Sequence, residues 1–254
     1  MQNFFSSYSE ALESCPGKGY SNHDLVNVVV EKNRILRTNL LSYSSPCFDL
    51  TSIRTMLGIG LCNPSKELKI IDFGGGGGFH YSVARAALPI EQHLKWHVVE
   101  TSGMVQKASP LLSNSELKFF DSIESAAAEL NEVDLVFASS SLQYCENPLQ
   151  TLEQLLNIGS KHIFITRTPL SESNRSYICI QKSRLKDNGP GTMPAIFNDC
   201  EVSYPITFMS KNVVEESLMK NYKIRFSIKE EGGYILENNQ SIDAQFSYFC
   251  DVKS

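Results

Sequence analysis

Between residues 70 and 81 the chain reads IIDFGGGGGFHY: an apolar run, an acid, five consecutive glycines and then residues that suit a helix. No other stretch limits the possible folds so sharply. Ile70, Ile71 and Phe73 are predicted to end a buried strand, and residues 79–88 to form the helix that follows. The backbone between them has to reverse beside something. Glycine suits such a reversal because it tolerates positive φ and, lacking Cβ, lets a ligand lie against the main chain. A flexible linker would not be framed by β-branched residues on one side and an Ala/Val/Leu pattern on the other.

The ligand class is narrowed by what is missing. A dinucleotide fingerprint would place glycines at 74, 76 and 79, but residue 79 is Phe, so the glycine that allows close helix–strand packing is absent. No Gly-Lys-Ser/Thr follows, which excludes the phosphate loop of nucleotide hydrolases. Residues 95–100, KWHVVE, are predicted to be a second strand ending in Glu100, 24 positions after Gly76. That spacing lets a carboxylate reach the ribose hydroxyls of a bound nucleoside.

A chain of 254 residues with 42% apolar content can bury one substantial core. The expected organisation is an N-terminal helical arm or lid over residues 1–66 and one domain over 67–254, with an insertion at about 170–205. A net charge of −5 without a basic block argues against nucleic acid. No apolar run approaches the roughly 18 residues of a membrane span, and the first thirty residues lack the order of a signal peptide, so a cytoplasmic protein is expected. The seven cysteines contain no C-x-x-C pair and the five histidines show no ligand spacing, so no metal site is predicted.

Along the chain, Asp24 is predicted to cap a helix to Arg37 that presents Leu25, Val28, Val29, Lys32 and Leu36, and a second helix over 48–57 is predicted to end at Gly58 and Gly60. The segment before them, with Pro16, Gly17 and Gly19, suits either a packed arm or a lid. After the second strand, residues 102–108 read as a helix whose Met104 and Val105 suit an adenine ring or ordinary core. Residues 117–120 form a third strand, and Asp121-Ser-Ile-Glu124 has capping-box spacing with Asp121 as the cap. A fourth strand over 133–138 opens into SSSLQY, residues 139–144. Asn147 and Pro148 start a helix ended by Gly159. A fifth strand over 162–166 leads to Arg167. Residues 169–205 read as an irregular polar insertion that carries substrate contacts. Ser210 caps a helix, and 222–228 with 244–252 form an antiparallel pair around Gly232-Gly233. The predicted fold is α/β: a doubly wound, mostly parallel, seven-stranded sheet with a C-terminal antiparallel strand and an N-terminal helical arm or lid. Ligands of such sheets bind at the carboxyl ends of the strands.

Asp72-x-Gly74-x-Gly76-x-Gly78 resembles the first motif of the Rossmann-like S-adenosylmethionine (SAM) methyltransferases. Beyond it, DFGGGGGFHY, WHVVETSGMV, DLVFASSSLQYCENPLQTL, ITRTPL, VSYP and the opening YSEALESCPGKGY resemble a family of SAM-dependent methyltransferases from bacterial surface-polysaccharide gene clusters. The chain departs from that family at Thr166, where relatives carry an acid, and at Ile206 and Thr207, where they carry an aromatic. The resemblance implies SAM as cofactor, with Asp72 facing its amino group and Phe73, Gly74, Gly75, Gly76 and Gly78 against its methionine and ribose. It further implies Glu100 and Thr101 at the sugar, Met104, Asp121 and Ser122 near the base, and Ser139 and Ser140 at the end of the fourth strand.

Catalytic candidates are His80 and Tyr81, which open the helix beside the reactive end, with His80 as general base. Gln143 and Tyr144 are assigned to acceptor binding. Arg167, with its planar donor fork, is assigned to an anionic acceptor, a site that Lys182, Arg184 and Lys186 could extend. The expected function is methyl transfer to a small, anionic or sugar-derived acceptor, such as a phosphorylated or nucleotide-linked sugar precursor. Competing functions are a SAM-binding partner without turnover, a decarboxylating or cyclising SAM enzyme, and an NAD-dependent oxidoreductase.

Overall fold

Ile70 and Ile71 are adjacent on one strand and both fully buried, so that strand has a packed layer on each face. It is β1 (Glu67–Phe73), the centre of a seven-stranded sheet in the computed structural model, which describes residues 4–15, 19–42, 47–62, 66–230 and 245–253. Helices α1 (Tyr8–Glu13), α2 (His23–Ser42) and α3 (Leu50–Leu61) precede it. After it come α4 (Phe79–Ala87), β2 (His93–Val99), α5 (Ser102–Leu112), β3 (Leu117–Phe120), α6 (Ile123–Leu130), β4 (Leu135–Ser139), α7 (Pro148–Asn157) and β5 (His162–Thr168). The chain then forms β6 (Leu170–Ser171), β7 (Tyr177–Arg184), β8 (Glu201–Ser210), α8 (Lys211–Asn221), β9 (Tyr222–Glu230) and β10 (Gln245–Val252).

The strand order is β3-β2-β1-β4-β5-β10-β9. Strands β1 to β5 pair in parallel, and β10 runs antiparallel to both β5 and β9. The doubly wound sheet expected from the strand–helix alternation is therefore the fold observed. Alternate strand residues feed opposite layers. Ile70, Trp96, Phe137 and Phe164 pack with α2, α3, α4 and α5, whereas Ile71, Val99, Val136 and Ile163 pack with α6, α7 and α8. Each such fully buried aliphatic side chain contributes about 1.5–3 kcal/mol.

Several boundaries differ from the sequence expectation for identifiable reasons. Helix α3 runs through Gly58 and Gly60 to Leu61 instead of stopping. A Cβ at Gly58 would sit 2.9 Å from a Phe164 ring carbon, so this glycine permits close helix–sheet approach and does not terminate the helix. Asn22, not Asp24, caps α2, its Oδ1 accepting from the Asp24 and Leu25 amides at 2.8 and 3.3 Å. Ser122, not Asp121, caps α6.

The largest correction concerns the insertion. Residues 177–184 and 201–210 pair as antiparallel β7 and β8, and β8 also pairs with the short β6, making a separate three-stranded sheet. Pro205 falls within β8, opposite Ile180 of β7. It is accommodated because β6 pairs only with Met209 and Ser210, leaving Pro205 on an unpaired stretch of that edge. Helix α1 packs on this sheet through Ala11, and Cys15 just beyond it joins the contact with Ile180, while Phe5 bridges to Ile178. The Gly232-Gly233 turn, Ala244, Pro16 and Gly17 lie outside the described residues. Among the described residues no helix is long and apolar enough to cross a membrane.

Candidate functional site

All five parallel strands present their carboxyl ends on one edge, where the winding reverses beside β1. Two adjoining cavities of about 410 and 540 Å³ open there. Gly74, Glu100, Ser140, Tyr20 and Tyr144 line both. The smaller cavity is walled by Phe73, Val99, Thr101, Asp121, Ser122 and Ile123. The larger takes Gly75, Gly76, His80, Met104, Ser139 and Arg167 from the strand-end set, together with residues of α2 and the insertion.

The glycine loop turns through positive φ at Gly74 (+70°), Gly76 (+57°) and Gly78 (+85°). A side chain at 74 would put its Cβ 2.3 Å from that of Ser141. Glu100 braces the loop: Oε1 accepts from the Gly76 amide at 3.1 Å and Oε2 from the Thr101 amide at 2.9 Å. Burial pushes the Glu100 carboxyl above the usual carboxylate range, with the nearby Asp72 charge acting in the same sense and the two backbone bonds opposing it. Ser140 (φ +54°) and Arg167 (φ +55°) also adopt positive φ without being glycine, a strain that collects at functional edges. Thr166 is buried and donates to Ser139 Oγ at 3.0 Å.

Four candidates stand elsewhere than expected. Asp72 has no exposed surface and lines neither cavity; it accepts from His80 Nδ1 at 3.0 Å and Trp96 Nε1 at 3.0 Å. The parity of a strand foretells this, because residue 72 shares a face with Ile70, under α4. Gly78 is the N-cap of α4, packed against Leu117. Tyr81 turns away from the cavities, its hydroxyl donating to Glu116 at 2.9 Å and its ring lying under Arg37. Gln143 is fully buried and donates to Ser140 Oγ at 3.0 Å, holding a lining residue without itself lining a cavity. The basic residues of the insertion are likewise drawn off: Lys182 pairs with Glu201, and Arg184 and Lys186 with Asp199.

Tyr144 lines both cavities as its assignment requires, whereas Tyr20 and Cys145 were not assigned to the site from sequence. Tyr20 packs its ring 4.7 Å from that of Tyr144 and 4.4 Å from that of Tyr204, joining the N-terminal segment to β8 across the cavities. Burial holds the Tyr20 phenol well above its ordinary value, so it stays a hydrogen-bond donor. Tyr144 donates to Gln181 at 2.9 Å, and its carbonyl accepts from Tyr8. Lys32, fully enclosed on α2, donates to the carbonyls of Lys186, Asn188 and Gly189 at 2.7, 2.8 and 2.9 Å, which fastens the cavity wall 186–191 to the helix. Cys145 lines the smaller cavity, but burial pushes its thiol up to about 11, so it is no nucleophile near neutral pH. Among the described residues no group of three or more His, Cys, Asp or Glu is placed to hold a metal ion.

No family model and no curated protein matches the chain. Among solved structures it is similar to a S-adenosylmethionine-dependent methyltransferase from Clostridium acetobutylicum ATCC 824, at TM-score 0.50 and 10% identity over 88% of this chain and 97% of that one. It is also similar to the [4+2]-cyclase SpnF, at TM-score 0.49 and 12% identity over 90% of this chain and 78% of that one. At such identities the likeness speaks for the fold, the α/β fold of the methyltransferase from Clostridium acetobutylicum.

Proposed function

We propose that the chain is a SAM-dependent methyltransferase acting on a small, hydroxyl-rich acceptor. The observation that carries this reading is the junction of the two cavities, where Glu100 is bonded to the Gly76 amide beneath a glycine loop at the end of β1. The residues present fit the cofactor. Bare glycine backbone at 74–76 lines the larger cavity, a carboxylate stands ready for ribose hydroxyls, and an apolar wall of Phe73, Val99 and Ile123 with polar Asp121 and Ser122 suits an adenine. Fold likeness to a methyltransferase agrees with it.

When bound, SAM supplies an electrophilic methyl group on a sulfonium. Glu100, Thr101 and Ser122 would hold the nucleoside, and the 74–76 backbone and Ser139 the amino-acid end. Holding the acceptor in line can itself remove several kcal/mol of barrier. The larger cavity supports a neutral sugar-like acceptor better than an anion: Arg167 is its lysine- or arginine-type cation among the described lining residues, against Asp49, Asp187 and Glu100. Gln181, Ser183, Asn188 and the tyrosines supply neutral hydrogen-bonding groups. The sequence resemblance to surface-polysaccharide methyltransferases supports a sugar precursor as that acceptor.

Calorimetric titration with S-adenosylhomocysteine tests the cofactor. Binding with one site per chain is the expected result. Absence of heat, or tighter binding of NADH, refutes the reading.

A further inference from the structure

Resting on the methyl-transfer reading above, we infer that Asp72 and His80 form a proton-accepting pair, with His80 Nε2 taking the proton of an acceptor hydroxyl in the larger cavity and Asp72 holding the ring.

A carboxylate taken fully out of water is costly unless its lone pairs are met. Asp72 meets this condition through partners other than a cofactor: Nδ1 of His80 lies 3.1 Å from Oδ1 and 3.0 Å from Oδ2, and Trp96 Nε1 donates to Oδ2 at 3.0 Å. Indole is only a donor, so the carboxylate is an acceptor toward both rings. Nδ1 must then carry a proton, which in the neutral ring leaves Nε2 as the bare nitrogen. The ring is held edge-on against Phe79 and Phe137, with centroids at 5.2 and 4.7 Å, and His80 lines the larger cavity beside Gly74, Gly75, Gly76 and Ser139. Gly75 protects this pair. A Cβ there would lie 2.4 Å from Asp72 Oδ2, so one glycine of the loop makes room for the carboxylate behind it.

The other bases of the larger cavity have partners or are unsuited: Asp49 accepts from the Ser52 amide and hydroxyl, and Asp187 accepts from the Arg184 amide. Glu100 accepts two backbone amides, and burial keeps the Tyr20 and Tyr204 phenols protonated. In the step, the acceptor oxygen gives its proton to Nε2 while bonding the methyl carbon, and the electron pair of the severed carbon–sulfur bond stays on sulfur. Positive charge thereby moves from sulfonium to imidazolium, beside the Asp72 carboxylate, and no oxidant or reductant is needed. Such a pair favours a hydroxyl acceptor, whose proton must leave.

Ring-15N-labelled histidine in the ligand-free protein reports the pair without knowledge of the acceptor. The His80 signal, identified by its loss in His80→Gln, is expected as the Nδ1–H tautomer, and in Asp72→Asn it is expected to invert to Nε2–H. Affinity for S-adenosylhomocysteine should stay within about threefold in both variants. Diethylpyrocarbonate should acylate His80 at Nε2, and S-adenosylhomocysteine should block it, with the exposed His23 and His93 as unprotected references. An Nε2–H tautomer in the wild-type protein overturns the pairing. Asp72→Asn that weakens S-adenosylhomocysteine binding about tenfold or more with the tautomer unchanged returns the carboxylate to the cofactor. An unreactive His80 beside reacting references removes the base. If Asp72→Asn does not fold, the tautomer and acylation of the wild-type protein still decide. Failure of the wild-type protein to bind S-adenosylhomocysteine sinks the methyl-transfer reading itself, a result separate from the tautomer.

Discussion

Glu100→Gln separates the proposed ribose contact from the integrity of the loop. The carboxylate has two oxygens and about four lone-pair sites, of which the Gly76 and Thr101 amides take one on each oxygen. The remaining lone pairs suit two vicinal hydroxyls at the meeting of the cavities. Glutamine keeps one oxygen and sets an NH2 where the other stood, so one charge-assisted hydroxyl bond is lost. At about 1.5–3 kcal/mol for such a bond, S-adenosylhomocysteine should bind roughly 10- to 150-fold more weakly. The fold should change far less, because two effects oppose: one backbone amide loses its acceptor, while a carboxylate whose charge is disfavoured by burial is removed. Calorimetry gives the affinity and urea unfolding the stability. An intact variant that binds within about threefold of wild type would refute the ribose role. The pH dependence carries the same signature. Since the free protein's Glu100 titrates above its ordinary 4.5, affinity should begin to fall on acidification at a higher pH than for an ordinary glutamate. For folding the sign is opposite: a raised folded pKa gives stability that is fully present below 4.5 and is lost as pH rises through the folded value.

Lys32→Met should cost about 2–4 kcal/mol in urea unfolding, because the carbonyls of Lys186, Asn188 and Gly189 lose their donor while relief from burying the ammonium returns only part. Faster amide exchange across 186–191 should accompany it, and unchanged exchange would show that the clamp does not hold the wall. Gly74→Ala should cost about 2–5 kcal/mol, combining left-handed strain with a Cβ that cannot rotate away from Ser141. Gly103→Ala, in open space on α5, should instead stabilise by about 0.4–1 kcal/mol, and equal effects at both sites would contradict the packing seen around the loop. At alkaline pH the buried phenols dominate. Tyr8 is pushed up to about 12 and Tyr20 well above 10, so the unfolded chain ionises first. Their stabilisation is present below pH 10 and is lost as pH rises toward 12. Phenolate absorbance should therefore appear together with unfolding, and reversible titration of every tyrosine near pH 10 in a folded protein would count against it.

The alternation of strands and helices, the doubly wound sheet and the edge on which the two cavities open were all legible in the one-dimensional pattern. Period-2 and period-3.6 apolar spacing are local properties, and the carboxyl end of each strand follows from them. The glycine run and Glu100 belonged to the same category, since both stand at fixed offsets from strand ends. Neighbouring residues on α4 mark where this legibility stopped. Each step along a helix rotates the side chain by about 100°, so His80 reaches Asp72 while Tyr81 reaches Glu116, and one line of sequence shows both as equally near the loop.

What local order could not convey is which distant segments close the site. Lys32 finds its carbonyls more than 150 positions away, Tyr20 finds Tyr204 on a strand that looked like irregular insertion, and the insertion's cations are neutralised by acids that only pairing brings near. The amino-acid order alone was enough for the strand–helix succession and the glycine loop after the first strand, because those depend on short-range sterics and burial. The division of the site into two cavities, and the turning of Asp72 from ligand to partner of His80, required the packed chain, because both arise from contacts between segments that share no local pattern.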